Sequence, residues 1–181
     1  EAKMANELER SFLTVSLEAR STGVSDAVMR YARESSTDYL NSGGTSIADR
    51  QLLLKNYSLT TSSGNLDIDL YDLGSLDVGA GPGRDNLGNL CANARVLSVF
   101  IENLSSSNTG VLRIDQNGLG STAWSGLFGA TAITNLESGA FVAANLGDTG
   151  ATVTDVTDHM LRLSAQTADC TINVHLTFNQ T

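Results

Sequence analysis

The stretch Cys170-Thr171-Ile172-Asn173-Val174-His175-Leu176-Thr177-Phe178-Asn179 alternates apolar and polar residues from end to end. In an extended chain successive side chains point to opposite faces. Cys170, Ile172, Val174, Leu176 and Phe178 therefore fall on one face, and Thr171, Asn173, His175, Thr177 and Asn179 on the other. Such a period of two predicts a strand with one face in a core.

The same signal recurs upstream. Leu66, Ile68 and Leu70 alternate with Asp67, Asp69 and Tyr71, and residues 51–61 open the series. Residues 94–102, with Val96, Leu97, Val99, Phe100 and Ile101, carry a more continuous apolar run, which predicts a more fully buried strand. Further strands are expected at 109–115, 131–134, 139–145, 151–155 and 159–165. Asp115-Gln116-Asn117-Gly118 predicts a tight hairpin turn, because Asn-Gly tolerates positive φ. About eight strands, with no helix-length periodic segment between them, predict an all-β fold, an antiparallel β-sandwich of jelly-roll type.

Asn41-Ser42-Gly43-Gly44-Thr45 is the clearest run of turn residues and marks a boundary. It divides the chain into an extended N-terminal arm, residues 1–44, and a β-sandwich domain, residues 45–181. Within the arm, Ala5, Leu8, Phe12, Val15 and Ala19 suit a helical face, whereas Leu13, Val15, Leu17 and Ala19 alternate as a strand does. The β-branched and hydroxyl content of Thr14-Val15-Ser16 favours the extended form. Ser25-Asp26 ahead of Ala27-Val28-Met29 predicts the cap of a short helix. A leader patterned so weakly suits an arm that orders when laid on a neighbour.

Composition narrows the function classes. Ser, Thr, Asn and Gly make up 69 of 181 residues, and only 17% are charged, against roughly 25% in an average soluble domain. The net charge is −9 and lysine occurs only at Lys3 and Lys55, so the clustered cations that grip a phosphate backbone are missing. Nucleic acid is not an expected partner. Nor is a membrane: the sequence has no run of apolar residues long enough to span one, and Glu1-Ala2-Lys3-Met4 does not begin an apolar leader. Cys91 and Cys170 are too few for a disulfide framework and are expected to be reduced.

No catalytic constellation is legible, and the chain is expected not to be an enzyme. Gly79-Ala80-Gly81-Pro82-Gly83 lacks the Gly-Lys-Ser/Thr of a phosphate loop and reads as an ordinary loop. Asp67, Asp69, Asp72 and Asp77 could be taken for a calcium cluster, but strand alternation puts Asp67 and Asp69 on a solvated face. No metal or cofactor is expected. The candidate bases are His159 and His175, and either would need a nucleophile or carboxylate within hydrogen-bond reach. Cys170 shares a face with Ile172 and Val174 and reads as a small buried hydrophobe; Cys91 has only Arg95 as a nearby cation in sequence. Trp124, in Trp124-Ser125-Gly126-Leu127-Phe128, reads as a packing residue, with sugar stacking the sharper alternative. The Asn-x-Ser/Thr triplets at Asn56, Asn103 and Asn179 carry little weight.

The order of elements also resembles a known group. Gly44-Thr45-Ser46-Ile47-Ala48-Asp49-Arg50 is followed by Leu66-Asp67-Ile68-Asp69-Leu70, Leu87-Gly88-Asn89 and Arg95-Val96-Leu97-Ser98-Val99-Phe100-Ile101-Glu102-Asn103. Then come Trp124, Leu127-Phe128-Gly129, Leu136-Glu137-Ser138-Gly139-Ala140-Phe141 and the closing strand. Over residues 40–181 this order is similar to that of small tailed-bacteriophage virion structural proteins. The 77–88 loop is longer than in that group, and Ile114-Asp115-Gln116-Asn117-Gly118 replaces its usual Leu-x-Val-Gly-Gly turn. The resemblance implies a capsid decoration or cement protein on the capsid exterior, assembled in the host bacterial cytoplasm. Its implied partners are copies of itself, as a homo-oligomer such as a trimer, and the major capsid protein. A tail, baseplate or fibre component with receptor or carbohydrate contact is the alternative.

Overall fold

The computed structural model describes residues 10–20, 28–38, 50–74, 76, 81–86, 88–106, 110–147 and 149–179, with side chains from residue 50 onward. The elements are β1 (Arg10–Arg20), β2 (Val28–Asp38), β3 (Arg50–Leu59), β4 (Asn65–Asp69), β5 (Arg95–Asn103), β6 (Leu112–Asp115), a 3-10 helix (Asn117–Thr122), β7 (Ile133–Leu136), β8 (Phe141–Asn145), β9 (Ala151–Thr152), β10 (Met160–Ala165) and β11 (Cys170–Asn179). They form three antiparallel sheets. β1 and β2 pair with each other; β4-β10-β6-β7 make a four-stranded sheet; β3-β11-β5-β8, with β9 also on β5, make a five-stranded one.

The two larger sheets share a single core. Leu66 and Ile68 of β4, Leu112 and Ile114 of β6, and Leu161 and Leu163 of β10 meet Leu52 of β3, Val99 and Ile101 of β5, and Ile172, Val174, Leu176 and Phe178 of β11. For β4 and β11 the period-two reading gives the buried side, and the sheets together make an all-β, sandwich-like architecture. Two register shifts tune the central strand. Between Ile172 and Val174 the pairing with β3 slips, and Asn56 takes a positive φ of 52° there while its N–H donates to Asn173 Oδ1 at 3.0 Å. Between Thr177 and Phe178 the pairing with β5 slips, so neighbouring Val96 and Leu97 are both buried.

Two expectations are corrected. The short helix expected after Ser25-Asp26 is absent from Val28 onward, where β2 runs instead. The residues of β1 and β2 face each other from Arg10↔Asp38 to Arg20↔Val28, and this long ladder replaces helical bonding. The extended reading of 10–20 agrees with β1; the boundary at 41–45 lies outside the described residues.

The Asn117-Gly118 hairpin turn is also replaced. Residues 117–122 form a 3-10 helix, positive φ falls on Gly120 at 61°, and β6 pairs with the distant β7. The cause is the preceding residue. Gln116 is fully buried, and its Nε2 donates to the carbonyls of Trp124 (2.7 Å) and Met160 (3.2 Å) while its Oε1 accepts from Arg162 N–H. Those bonds hold the connection against β10 and seat Trp124 in the core, outweighing a local turn preference.

Candidate functional site

The outward side of the five-stranded sheet, where the closing strand is expected to show polar residues, carries an apolar row. Strand register sets Leu53 (β3), His175 (β11), Phe100 (β5) and Ala143 (β8) side by side in one row. Phe141 stacks on Phe100 at 5.9 Å between ring centroids, tilted by 32°. Leu53 and Phe141 are each 43% exposed. Apart from Phe141, which stands opposite Glu102, the flanking rows are polar and bonded among themselves: Ser98 and Thr177 hydroxyls lie 2.7 Å apart, and Asn173 Nδ2 donates to Glu102 Oε2 at 2.9 Å. An apolar centre inside a polar border is the anatomy of a protein-binding surface.

His175 lies on the same side of β11 as Asn173 and Thr177, as the alternation predicts, but its cross-strand neighbours there, Leu53 and Phe100, are apolar. The imidazole is half-buried between Leu53 and Phe100, and burial lowers its pKa. His159 sits at the other sheet. Its Nε2 lies 3.8 Å from Asp69 Oδ2, longer than a hydrogen bond, and its buried Nδ1 has no hydrogen-bond partner.

The acidic residues expected on a solvated face separate into different roles. Asp67 forms a two-pronged pair with Arg162, Nε to Oδ1 and the terminal nitrogen to Oδ2, both 2.7 Å. That bond raises the Arg162 pKa, holding its charge. Asp69 turns back on the main chain, accepting from Tyr71 N–H at 2.9 Å; burial pushes its pKa up, partly offset by that bond. Asp72 accepts from Gly74 N–H at 2.6 Å. Asp77 lies outside the described residues. Among the described residues, no group of three His, Cys, Asp or Glu is placed to hold a metal.

The glycine-rich loop acts as a clasp. Asp85, fully buried, accepts from Asn89 N–H (2.8 Å) and from Gln51 N–H of β3 (3.2 Å). The Asn86 amide then imitates a neighbouring strand, accepting from Leu53 N–H and donating to Leu53 O. The outer edge of β3, which would otherwise offer a pairing template, is occupied by its own chain. Gly79 and Ala80 lie outside the described residues.

Trp124 is fully buried and its Nε1 donates to Thr152 O at 3.0 Å, so it offers no platform for a sugar. Phe128 packs against the same core. Neither cysteine is in a disulfide; Cys170 is buried in the core and Cys91 half-buried at its margin. Burial raises the Cys170 pKa, which disfavours the thiolate. Of the glycosylation-type triplets, Asn103 and Asn179 are buried, and Asn103 Nδ2 is spent on Gly110 O and Leu136 O.

Sequence reading did not single out the apolar row, although a signal was present. Leu52-Leu53-Leu54 and Val99-Phe100-Ile101 are apolar where strict alternation would place a polar residue. No family model, curated protein or solved structure matches the chain.

Proposed function

We propose that this chain is a non-enzymatic structural subunit of a tailed-bacteriophage virion, a capsid decoration or cement protein that stabilises the shell by associating with itself and with the major capsid protein. The observation that supports association is the row Leu53, His175, Phe100 and Ala143, capped by the exposed Phe141. Aromatic side chains at the centre of a polar border are the residues that dominate binding energy in protein interfaces. The phage assignment rests on the resemblance over residues 40–181, with the acidic, lysine-poor composition as a weaker support.

We further propose that the sandwich is a jelly roll. Such a fold arises when a long antiparallel ribbon of eight strands is rolled up, leaving first paired with last, second with seventh, third with sixth and fourth with fifth. Counting β3, β4, β5, β6, β7, β8, β10 and β11 as those strands, the observed pairs β3·β11, β4·β10, β5·β8 and β6·β7 are the ones this rolling produces. The additional pairs β11·β5 and β10·β6 are where the ribbon meets itself. A trimer would bury apolar surface that the single chain leaves open, including Phe141 on β8 and Ile133 on β7.

Electron cryomicroscopy of the intact particle tests the virion role. Density for the sandwich on the outer capsid lattice is expected. Density confined to the tail would overturn the cement reading in favour of a tail component, and a particle lacking the chain would overturn both.

A further inference from the structure

We infer that Asn117-Gly118 is a self-modification site, where the asparagine side chain closes onto the next backbone nitrogen and loses its amide once the turn around Gln116 opens. The inference goes beyond the virion reading and does not depend on it. Asn117-Gly118 is the only Asn-Gly pair in the sequence, and both residues are exposed. It makes no hairpin, and Gly118 is not among the glycines with positive φ. What requires a glycine there is Arg162. Its Nε and one terminal nitrogen are tied to Asp67 by two 2.7 Å bonds. The other terminal nitrogen lies over Gly118, where an added Cβ would stand 2.6 Å from it. A guanidinium held at two points does not give way, so position 118 takes no side chain.

A residue without a side chain after asparagine leaves its own nitrogen unhindered for attack on the asparagine amide. The Gly118 nitrogen bonds to Cγ of Asn117 as the bond from Cγ to Nδ2 breaks, and ammonia leaves with the proton given up by the Gly118 N–H. Water then opens the five-membered imide at either carbonyl. One opening gives aspartate at position 117. The other gives isoaspartate, in which the main chain runs on through the side-chain carbon. Water is the only co-reactant, and either product adds one negative charge.

Orientation controls the rate of such a ring closure. It needs the Gly118 nitrogen eclipsed with Cβ of Asn117, and a 3-10 turn, with ψ of roughly −20 to −30°, holds the two apart. Asn117 and Gly118 keep helical angles; the departure in this segment falls at Gly120. Leu119 N–H closes the turn onto Gln116 O at 3.2 Å, and Asn117 N–H donates to Asp115 Oδ1 at 3.1 Å. Behind the turn, the buried Gln116 side chain is fixed to Trp124, Met160 and Arg162. The exposed amide is therefore within reach of water but misaligned for cyclisation, and local opening of the turn sets the rate. The isoaspartate product places an extra main-chain atom between Gln116 and Leu119, so the turn does not close again. The step records an opening and runs one way.

Peptide mass mapping of the full-length protein, held in mildly alkaline buffer either native or in urea, tests this. Conversion at residue 117 is expected to be at least about tenfold faster in urea than in the native chain. Gln116→Leu, which releases the turn from the core, should speed native conversion by at least about tenfold. Asp115→Ala, outside the core, should speed it by about threefold and serves where Gln116→Leu does not fold. Native conversion as fast as that in urea overturns the gate, and so does a wild-type rate in both variants. No conversion at residue 117 in urea overturns the site. Isoaspartate-bearing protein, separated by anion exchange, should melt below both the unconverted chain and Asn117→Asp, which carries the charge without the extra main-chain atom. Equal melting of all three overturns the one-way character.

Discussion

On the outward face of the four-stranded sheet, Asp67 grips Arg162 with two bonds and Arg113 reaches Asn135 on the neighbouring strand. On the outward face of the five-stranded sheet, the middle row is Leu53, His175, Phe100 and Ala143. Both faces are presented by antiparallel strands over the same core, so backbone geometry does not distinguish them. The difference lies in what each row gains from water. A carboxylate and guanidinium paired at a surface stay hydrated and repel a dry partner, whereas exposed Leu and Phe side chains gain by being covered. One face spends its side chains on paired charges, and the other leaves Leu53 and Phe141 each 43% exposed.

The shared core sets the scale for perturbing either face. Trp124→Ala should cost about 3–5 kcal/mol in chemical denaturation, because it empties a fully buried site and breaks the bond to Thr152 O. Asp85→Ala comes next. It removes a buried carboxylate that receives two main-chain N–H groups and leaves those donors unpaired, at a cost of about 2–4 kcal/mol. It should also free the edge of β3, so amide exchange at Gln51 and Leu53 should speed up more than at Val174 in the sheet centre. Uniform acceleration across the sheet would show that the loop only adds stability and does not guard the edge.

How much of this was legible in the sequence follows from which rule was local. Alternation in Cys170–Asn179 and Leu66–Leu70 identified strands and their inner faces correctly, because burial of one side needs only a period of two. The Asn117-Gly118 turn failed because its competitor, the buried Gln116 amide, finds its partners at Trp124, Met160 and Arg162 through tertiary contact. The clasp at Asp85 and Asn86 was invisible for the same reason, since its partners in β3 lie more than thirty residues away. The apolar row was half-legible. Phe100 was read as core, and only register with Leu53 and His175 places it on the outer side.

Smaller effects separate the two outward faces. Arg162→Met removes the pair with Asp67 and should cost about 1 kcal/mol or less, since both partners are partly solvated. The loss should shrink further in high salt. Phe141→Ser on the other face loses the stack on Phe100 and should cost the isolated chain about 1 kcal/mol, yet weaken the proposed association by at least about tenfold. A variant of Arg162 that disrupts association as strongly as Phe141→Ser would erase the contrast between the faces.

The smallest effect is the one with a sign on each face. Burial lowers the His175 pKa below its ordinary 6.5, so on acidification the unfolded chain takes up that proton before the folded one does. Stability therefore falls as pH drops below 6.5 and through the lower folded value, and His175→Gln should remove that part of the acid loss. Burial raises the Asp69 pKa above its ordinary 3.8, so the folded chain is the one that holds the proton more tightly. Its contribution to stability is present below pH 3.8 and is lost as pH rises through the folded value, so Asp69→Asn should be neutral or stabilising at pH 7, with the gain fading toward pH 4. Denaturation midpoints of the two variants and wild type across pH 4–7 check both signs. If covering the five-stranded face buries His175 further, the acid loss should grow in the associated protein relative to a Phe141→Asp monomer, while the Asp69 effect stays unchanged. Equal acid sensitivity in the two forms would place His175 outside the covered surface.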